Sequence, residues 1–147
     1  MPIKSSIMDK PAILEGKKYS DERGNVIFNN DFNVTEIKRM YYIENTDTEF
    51  IRGWTGHKTE QRWFSALQGS FLIRLIEIDH WELPSRQSEI LKFELSAGNL
   101  NVLHVPKGYV SAIQAREENS KLLVMGDYFL GETDDTYRFP IDYFENL

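Results

Sequence analysis

The sequence contains no cysteine. That excludes disulfide scaffolds, cysteine–zinc sites and thiol catalysis, and it fits a reducing compartment. Long apolar runs are missing too. Uncharged ones such as Phe71 to Ile73 are a few residues long, against the ~20 that cross a bilayer as a helix. Residues 1–18 carry no apolar stretch of the signal-peptide kind, so the expectation is a cytoplasmic protein with no membrane partner. Positive charge is in deficit. Lys and Arg number 17 against 23 Asp and Glu, a formal net charge of −6. This disfavours nucleic acid and acidic membranes as partners, but it leaves room for a small anionic ligand held by a few placed cations. Histidine is scarce, at three residues.

What is present is an ordinary globular composition. The chain has 147 residues, 41% hydrophobic and 27% charged, which suits a single domain with its own core and argues against disorder. No segment holds a helical apolar period over three turns. Short apolar runs recur about every ten residues instead, the spacing of a sandwich or barrel. The expected strands are Val26–Asn29, Ile37–Ile43, Phe50–Thr55, Arg62–Leu67, Phe71–Ile78, Glu89–Leu95, Asn101–Val105, Ser111–Ala115 and Leu122–Tyr128. Turn residues separate them, among them Gln68-Gly69-Ser70 and Pro106-Lys107-Gly108. Leu91, Phe93 and Leu95 share one face of their strand. Phe71–Ile78 is apolar on both faces and reads as covered on both. The one helical candidate is Pro140–Leu147. Residues 1–20 read as an arm, with a swapped or edge strand as one possibility. Asn33-Val34-Thr35 matches a glycosylation sequon, read here as chance.

Of the histidines, His80 reads as solvent-exposed and His104 as a structural residue within a strand. His57 has a different context. Arg52-Gly53-Trp54-Thr55-Gly56-His57-Lys58 gathers a guanidinium, an imidazole and an ammonium within seven residues. Its two glycines permit close approach of a ligand to the backbone.

Ile37-Lys38-Arg39-Met40-Tyr41-Tyr42-Ile43, the Arg52–Lys58 segment, Gly69-Ser70, Val105-Pro106-Lys107-Gly108-Tyr109, Leu122–Met125 and Asp127-Tyr128 follow one another in an order that resembles a group of small cupins. These are the dTDP-sugar 3,4-ketoisomerases, related to the WxcM-like proteins. A more distant likeness runs to the dTDP-4-dehydrorhamnose 3,5-epimerases. The resemblance spans about residues 20–145. It implies an all-β, RmlC-like jelly-roll barrel with a short C-terminal helix or tail, a homodimer, and a dTDP-hexose as ligand. The implied function is isomerase or epimerase chemistry on a dTDP-4-keto-6-deoxyhexose, by proton transfer next to the carbonyl, in surface polysaccharide synthesis.

The resemblance also assigns residues. Arg39, Arg52 and Arg62 suit a diphosphate as guanidinium forks, with Lys58 as a point charge. Tyr41, Tyr42, Trp54 and Trp63 offer aromatic platforms. The family's tandem histidines fall at Thr55 and His57, so the first, its catalytic base, is absent. Thr55 alone is too weak a base. His57 is then the candidate base, with Tyr41 or Tyr128 as acid or oxyanion donor, and Thr55 and Ser111 as substrate contacts. The ligand positions of metal-binding cupins correspond to Thr55, His57, Arg62 and Ser111. Only His57 can ligate, and Arg62 puts a cation where a carboxylate belongs, so neither a metal nor another cofactor is expected. Two further readings stand beside the enzyme: a degenerate cupin that binds a sugar nucleotide or carbohydrate without turnover, and a cupin dimer whose pocket has diverged to another small ligand.

Overall fold

The computed structural model describes residues 10–147. The first part of the expected arm, residues 1–9, lies outside them. In chain order the strands are β1 (Ala12–Leu14), β2 (Lys17–Asp21), β3 (Gly24–Phe28), β4 (Arg39–Ile43), β5 (Ile51–His57), β6 (Arg62–Gln68), β7 (Ser70–Glu77), β8 (Leu91–Ser96), β9 (Val102–Val105), β10 (Tyr109–Ala115), β11 (Lys121–Gly126) and β12 (Thr136–Arg138). Each of the nine expected strands is there, shifted by a few residues at its ends. The short β1, the mostly polar β2 and the three-residue β12 had no apolar alternation to announce them. Asn33 of the sequon-like triplet accepts a hydrogen bond from the Thr35 amide and caps a single 3-10 turn, Val34–Glu36.

Two five-stranded sheets form, in the orders β1-β9-β6-β11-β4 and β12-β5-β10-β7-β8, with β2 and β3 as a separate hairpin. The pairings are antiparallel. This is the expected RmlC-like jelly roll. The alternation on β7 explains how it holds together. Phe71, Ile73 and Leu75 point between the sheets and are fully buried, with Phe64, Leu103, Leu122 and Val124 opposite. Burying each such side chain stabilises the fold by about 1.5–3 kcal/mol. Ile76, on the outer face of β7, belongs to a second cluster with Trp54, Val110 and Phe144, so this strand is covered on both sides.

The second cluster accounts for the C-terminus. Pro140–Leu147 forms turns and not the helix expected there. Eight residues are too few to nucleate a helix unaided. The tail is held by its side chains instead. The Phe144 ring meets Trp54 edge-on at 5.3 Å, and the Trp54 indole donates to the Ile141 carbonyl at 3.3 Å. Trp54 and Phe139 exchange backbone hydrogen bonds at 3.1 and 3.0 Å. The tail thereby lies against β5, the strand that carries Arg52, Thr55 and His57. Among the described residues, no helix is long and apolar enough to cross a membrane.

Candidate active site

A cleft of about 580 Å³ is lined by strands of both sheets. Its lining follows from strand register. Tyr109, Ser111 and Ile113 of β10 share one face, and pair with His57, Thr55 and Arg52 of β5. Two residues, Gly53 and Trp54, lie between Arg52 and Thr55 where one, Ala112, lies between Ser111 and Ile113, so the pairing carries a bulge. The extra residue lets Arg52, Thr55 and His57 all line the cleft. Trp54, beside the bulge, is buried in the outer cluster. Gly56 has to be glycine, because a Cβ there would collide with the Tyr109 carbonyl oxygen. The lining also takes in Tyr41, Tyr42 and Ile43 of β4 with Glu44 just beyond it, Glu60 just before β6, Arg62 and Phe64 of β6, Val105 and Pro106, and Arg138 of β12.

Of the residues expected from sequence, Tyr41, Arg52, Thr55, His57, Arg62 and Ser111 thus share one cleft. Arg39 stands at its side, with its guanidinium 4.9 Å from the Tyr41 ring. Four others are elsewhere, Trp54 in the outer cluster among them. Trp63 follows Arg62 on β6 and faces the opposite way. It is buried against Phe32 and stacks on His104 at 5.0 Å. Strand alternation makes Arg62 and Trp63 mutually exclusive as cleft residues. Lys58 is not in the lining, and it meets Asp135 through its backbone amide. Tyr128, past the end of β11, is not in the lining either. His104 has a structural setting, its Nε2 2.7 Å from the Gln61 side-chain oxygen.

The structure adds residues that sequence reading did not reach. Glu60 is buried, with Oε2 3.1 Å from His57 Nδ1 and 3.5 Å from Arg62 Nη2. The carboxylate missing at position 62 is therefore supplied two residues earlier. Glu60 lies three residues after His57, and that spacing was the available signal. Asp135 is buried beside them, and its backbone carbonyl lies 3.1 Å from His57 Nδ1. Arg138 reaches the cleft because β12 pairs with β5, with Arg138 opposite Thr55.

These contacts settle the state of His57. Both neighbours of Nδ1 are acceptors, so Nδ1 carries the proton and Nε2 the lone pair. Burial pushes the imidazole pKa down to about 4. The Arg62 and Arg39 charges push the same way, and Asp135 opposes them. At neutral pH the ring is therefore an uncharged acceptor in a cleft that holds the guanidinium groups of Arg52, Arg62 and Arg138.

His57, Glu60 and Asp135 also bring three potential metal-ligand atoms within 4.8 Å of one another. Their chemistry does not fit a divalent ion. The Asp135 carboxylate already accepts hydrogen bonds from the amides of Lys58, Thr59 and Glu60 at 3.1, 2.7 and 2.8 Å. His57 Nδ1 is the protonated nitrogen, and Arg62 stands against Glu60.

No curated protein matches the sequence significantly. Among solved structures, the 3,4-ketoisomerase QdtA from Thermoanaerobacterium thermosaccharolyticum, a variant in complex with TDP-4-keto-6-deoxyglucose, is 26% identical. It aligns over 90% of this chain and 90% of its own, with a TM-score of 0.68. A 3,4-ketoisomerase from Helicobacter canadensis is 25% identical over 86% of this chain and 89% of its own, with a TM-score of 0.66. The dTDP-4-dehydrorhamnose 3,5-epimerase from Bacillus anthracis shares the fold, at 18% identity over 92% of this chain and 77% of its own, with a TM-score of 0.66. The family model described as WxcM-like, C-terminal matches residues 9–145, and the chain belongs to that family.

Proposed function

We propose that the protein is a sugar-nucleotide isomerase acting on a TDP-linked 4-keto-6-deoxyhexose. The observation that carries this is a neutral, oriented imidazole in a cleft lined by three arginines. The solved 3,4-ketoisomerases similar to this chain support the substrate class. Arg52, Arg62 and Arg138 receive the diphosphate, with Arg39 beside them. The 4-keto group acidifies the hydrogen on C3. His57 Nε2 removes that proton, and the electron pair moves into an enediolate. Return of a proton to C4, with the O3 hydroxyl proton passing to O4, leaves the carbonyl at C3, with no net change in atoms or electrons. Glu60 and the Asp135 carbonyl receive the positive charge that develops on the imidazole. Tyr41 donates to the enediolate oxygen. Metal chemistry has no part in this reading. Work in surface polysaccharide synthesis as a cytoplasmic homodimer belongs to the same proposal and rests on the family resemblance.

One observation favours a second reading. Thr55 stands where the resemblance puts the base, and an imidazole with a pKa of about 4 is a weak proton acceptor at neutral pH. The protein would then bind the sugar nucleotide without turning it over. Incubation with TDP-4-keto-6-deoxyglucose, followed by product analysis, separates the two. A 3-keto product establishes the isomerase, and tight binding with unchanged sugar establishes the binding module.

A further inference from the structure

Between His57 and Arg62 the chain leaves one sheet and enters the other. Four consecutive backbone amides lie in that crossing, and each is accepted by a carboxylate from the C-terminal part of the chain. Asp135 Oδ1 takes the amide of Lys58 at 3.1 Å, and Oδ2 takes those of Thr59 and Glu60 at 2.7 and 2.8 Å. Asp127 Oδ1 takes the amide of Gln61 at 2.8 Å, and Oδ2 takes the Gln61 side-chain amide at 3.1 Å. A surface turn leaves such amides to water. Here carboxylates replace it, the buried Asp135 for three of the four amides, and charge-assisted bonds of this kind hold geometry more firmly than neutral ones.

The placement matters because of what the crossing carries. Glu60 sits in it, and His57 and Arg62 are its two ends. The residue that ties down the amides of positions 58–60 also presents its carbonyl to His57 Nδ1. One residue therefore fixes both acceptors of the Nδ1 proton: its own carbonyl directly, and the Glu60 carboxylate through the Glu60 amide. We propose that Asp135, seconded by Asp127, is a positioning residue that sets the tautomer of His57 and holds Glu60 against it. Asp135 does not line the cleft, so it acts through His57 and not on the ligand. The proposal rests on the reading of His57 as proton acceptor, and its test is chosen to separate the two.

Long-range proton–nitrogen correlation spectra of the nitrogen-15-labelled full chain report which ring nitrogen of each histidine is protonated. His80 and His104 serve as internal references. Wild-type His57 is expected as the Nδ1–H form. In Asp135→Ala it is expected to become a mixture of tautomers, and turnover to lose part of the ~10²–10⁴-fold that a placed base contributes. TDP affinity by calorimetry is expected to stay within about threefold. Asp135→Asn keeps one acceptor oxygen for Thr59 and Glu60 and is expected between the two, so it carries the test if Asp135→Ala does not fold. An Nε2–H imidazole in the wild type overturns the proposal. So does an Asp135→Asn protein equal to wild type in tautomer and in turnover. If the wild type binds TDP-sugar without exchanging its protons, the isomerase reading fails, while the tautomer comparison still decides this one.

Discussion

Glu60 Oε2 lies 3.1 Å from His57 Nδ1, with both side chains nearly out of solvent at 7% and 12% exposure. The contact joins a residue within the crossing between sheets to the one at its start. A carboxylate behind an imidazole fixes the ring's orientation and stabilises the cation formed when the other nitrogen takes a proton. Replacing Glu60 with Gln is expected to lower turnover by about 10–100-fold, a fraction of what general-base catalysis supplies. Steady-state kinetics with the TDP-sugar should show the loss in kcat, with KM nearly unchanged.

Arg62 raises the energy of a protonated His57 and is the second cause, after burial, of its low pKa. It also draws on the same Glu60 oxygen. Arg62→Gln removes the repulsion and leaves Glu60 to His57 alone. Both effects have one sign, so the His57 pKa is expected to rise above about 4 toward the ordinary value of 6.5. A proton NMR titration of the His57 ring measures it. TDP binding is expected to weaken at the same time, through loss of a guanidinium.

Stability should fall in acid, through His57 among others. Its folded-state pKa lies below the unfolded value of 6.5. Between about pH 6.5 and 4 the unfolded chain therefore binds the extra proton, and stability declines as pH falls. Above this window the ring is neutral in both states and contributes nothing. At ~1.4 kcal/mol per unit, the loss near pH 4 is on the order of 3 kcal/mol. His104 is lowered as well, chiefly by burial, and adds to the same trend. Urea unfolding at pH 7.5 and 4.5 checks this. His57→Gln should be distinctly less sensitive to the change than wild type.

Gly126 gives a way to move Arg62 without touching it. A Cβ at position 126 would stand 2.7 Å from Arg62 Nη1. The colliding atom is the end of a flexible side chain, so the backbone need not yield. Gly126→Ala is expected to cost about 1 kcal/mol or less in stability. TDP affinity is expected to drop about tenfold. Thermal unfolding and calorimetry on the same sample separate the two effects.

The strands were legible wherever one face is buried, because alternation records burial. Leu91, Phe93 and Leu95 show it on β8, and the doubly covered β7 shows it as a continuous apolar run. The tail was not legible. Phe139, Tyr143 and Phe144 are spaced for docking against Trp54, a contact across about 90 residues, and local pattern carries no sign of it. The same distance hid part of the site. Arg52, Thr55, His57 and Arg62 could be read from one stretch of chain. Arg138 and Asp135 reach them only through β12, a three-residue strand defined by its pairing with β5. Trp63 was misplaced for a simpler reason. It neighbours Arg62 on a strand, and neighbours on a strand face opposite sides.

Deuterium exchange decides whether His57 is the base. Wild type and His57→Gln are each mixed in D2O with TDP-4-keto-6-deoxyglucose, and the C3 proton of the sugar is followed by NMR. Our account predicts loss of that signal with wild type, appearance of a 3-keto species, and a rate at least ~10²-fold lower in the variant. TDP binding should persist in both. Equal exchange in the two proteins, or no exchange by a wild type that binds TDP, would contradict it.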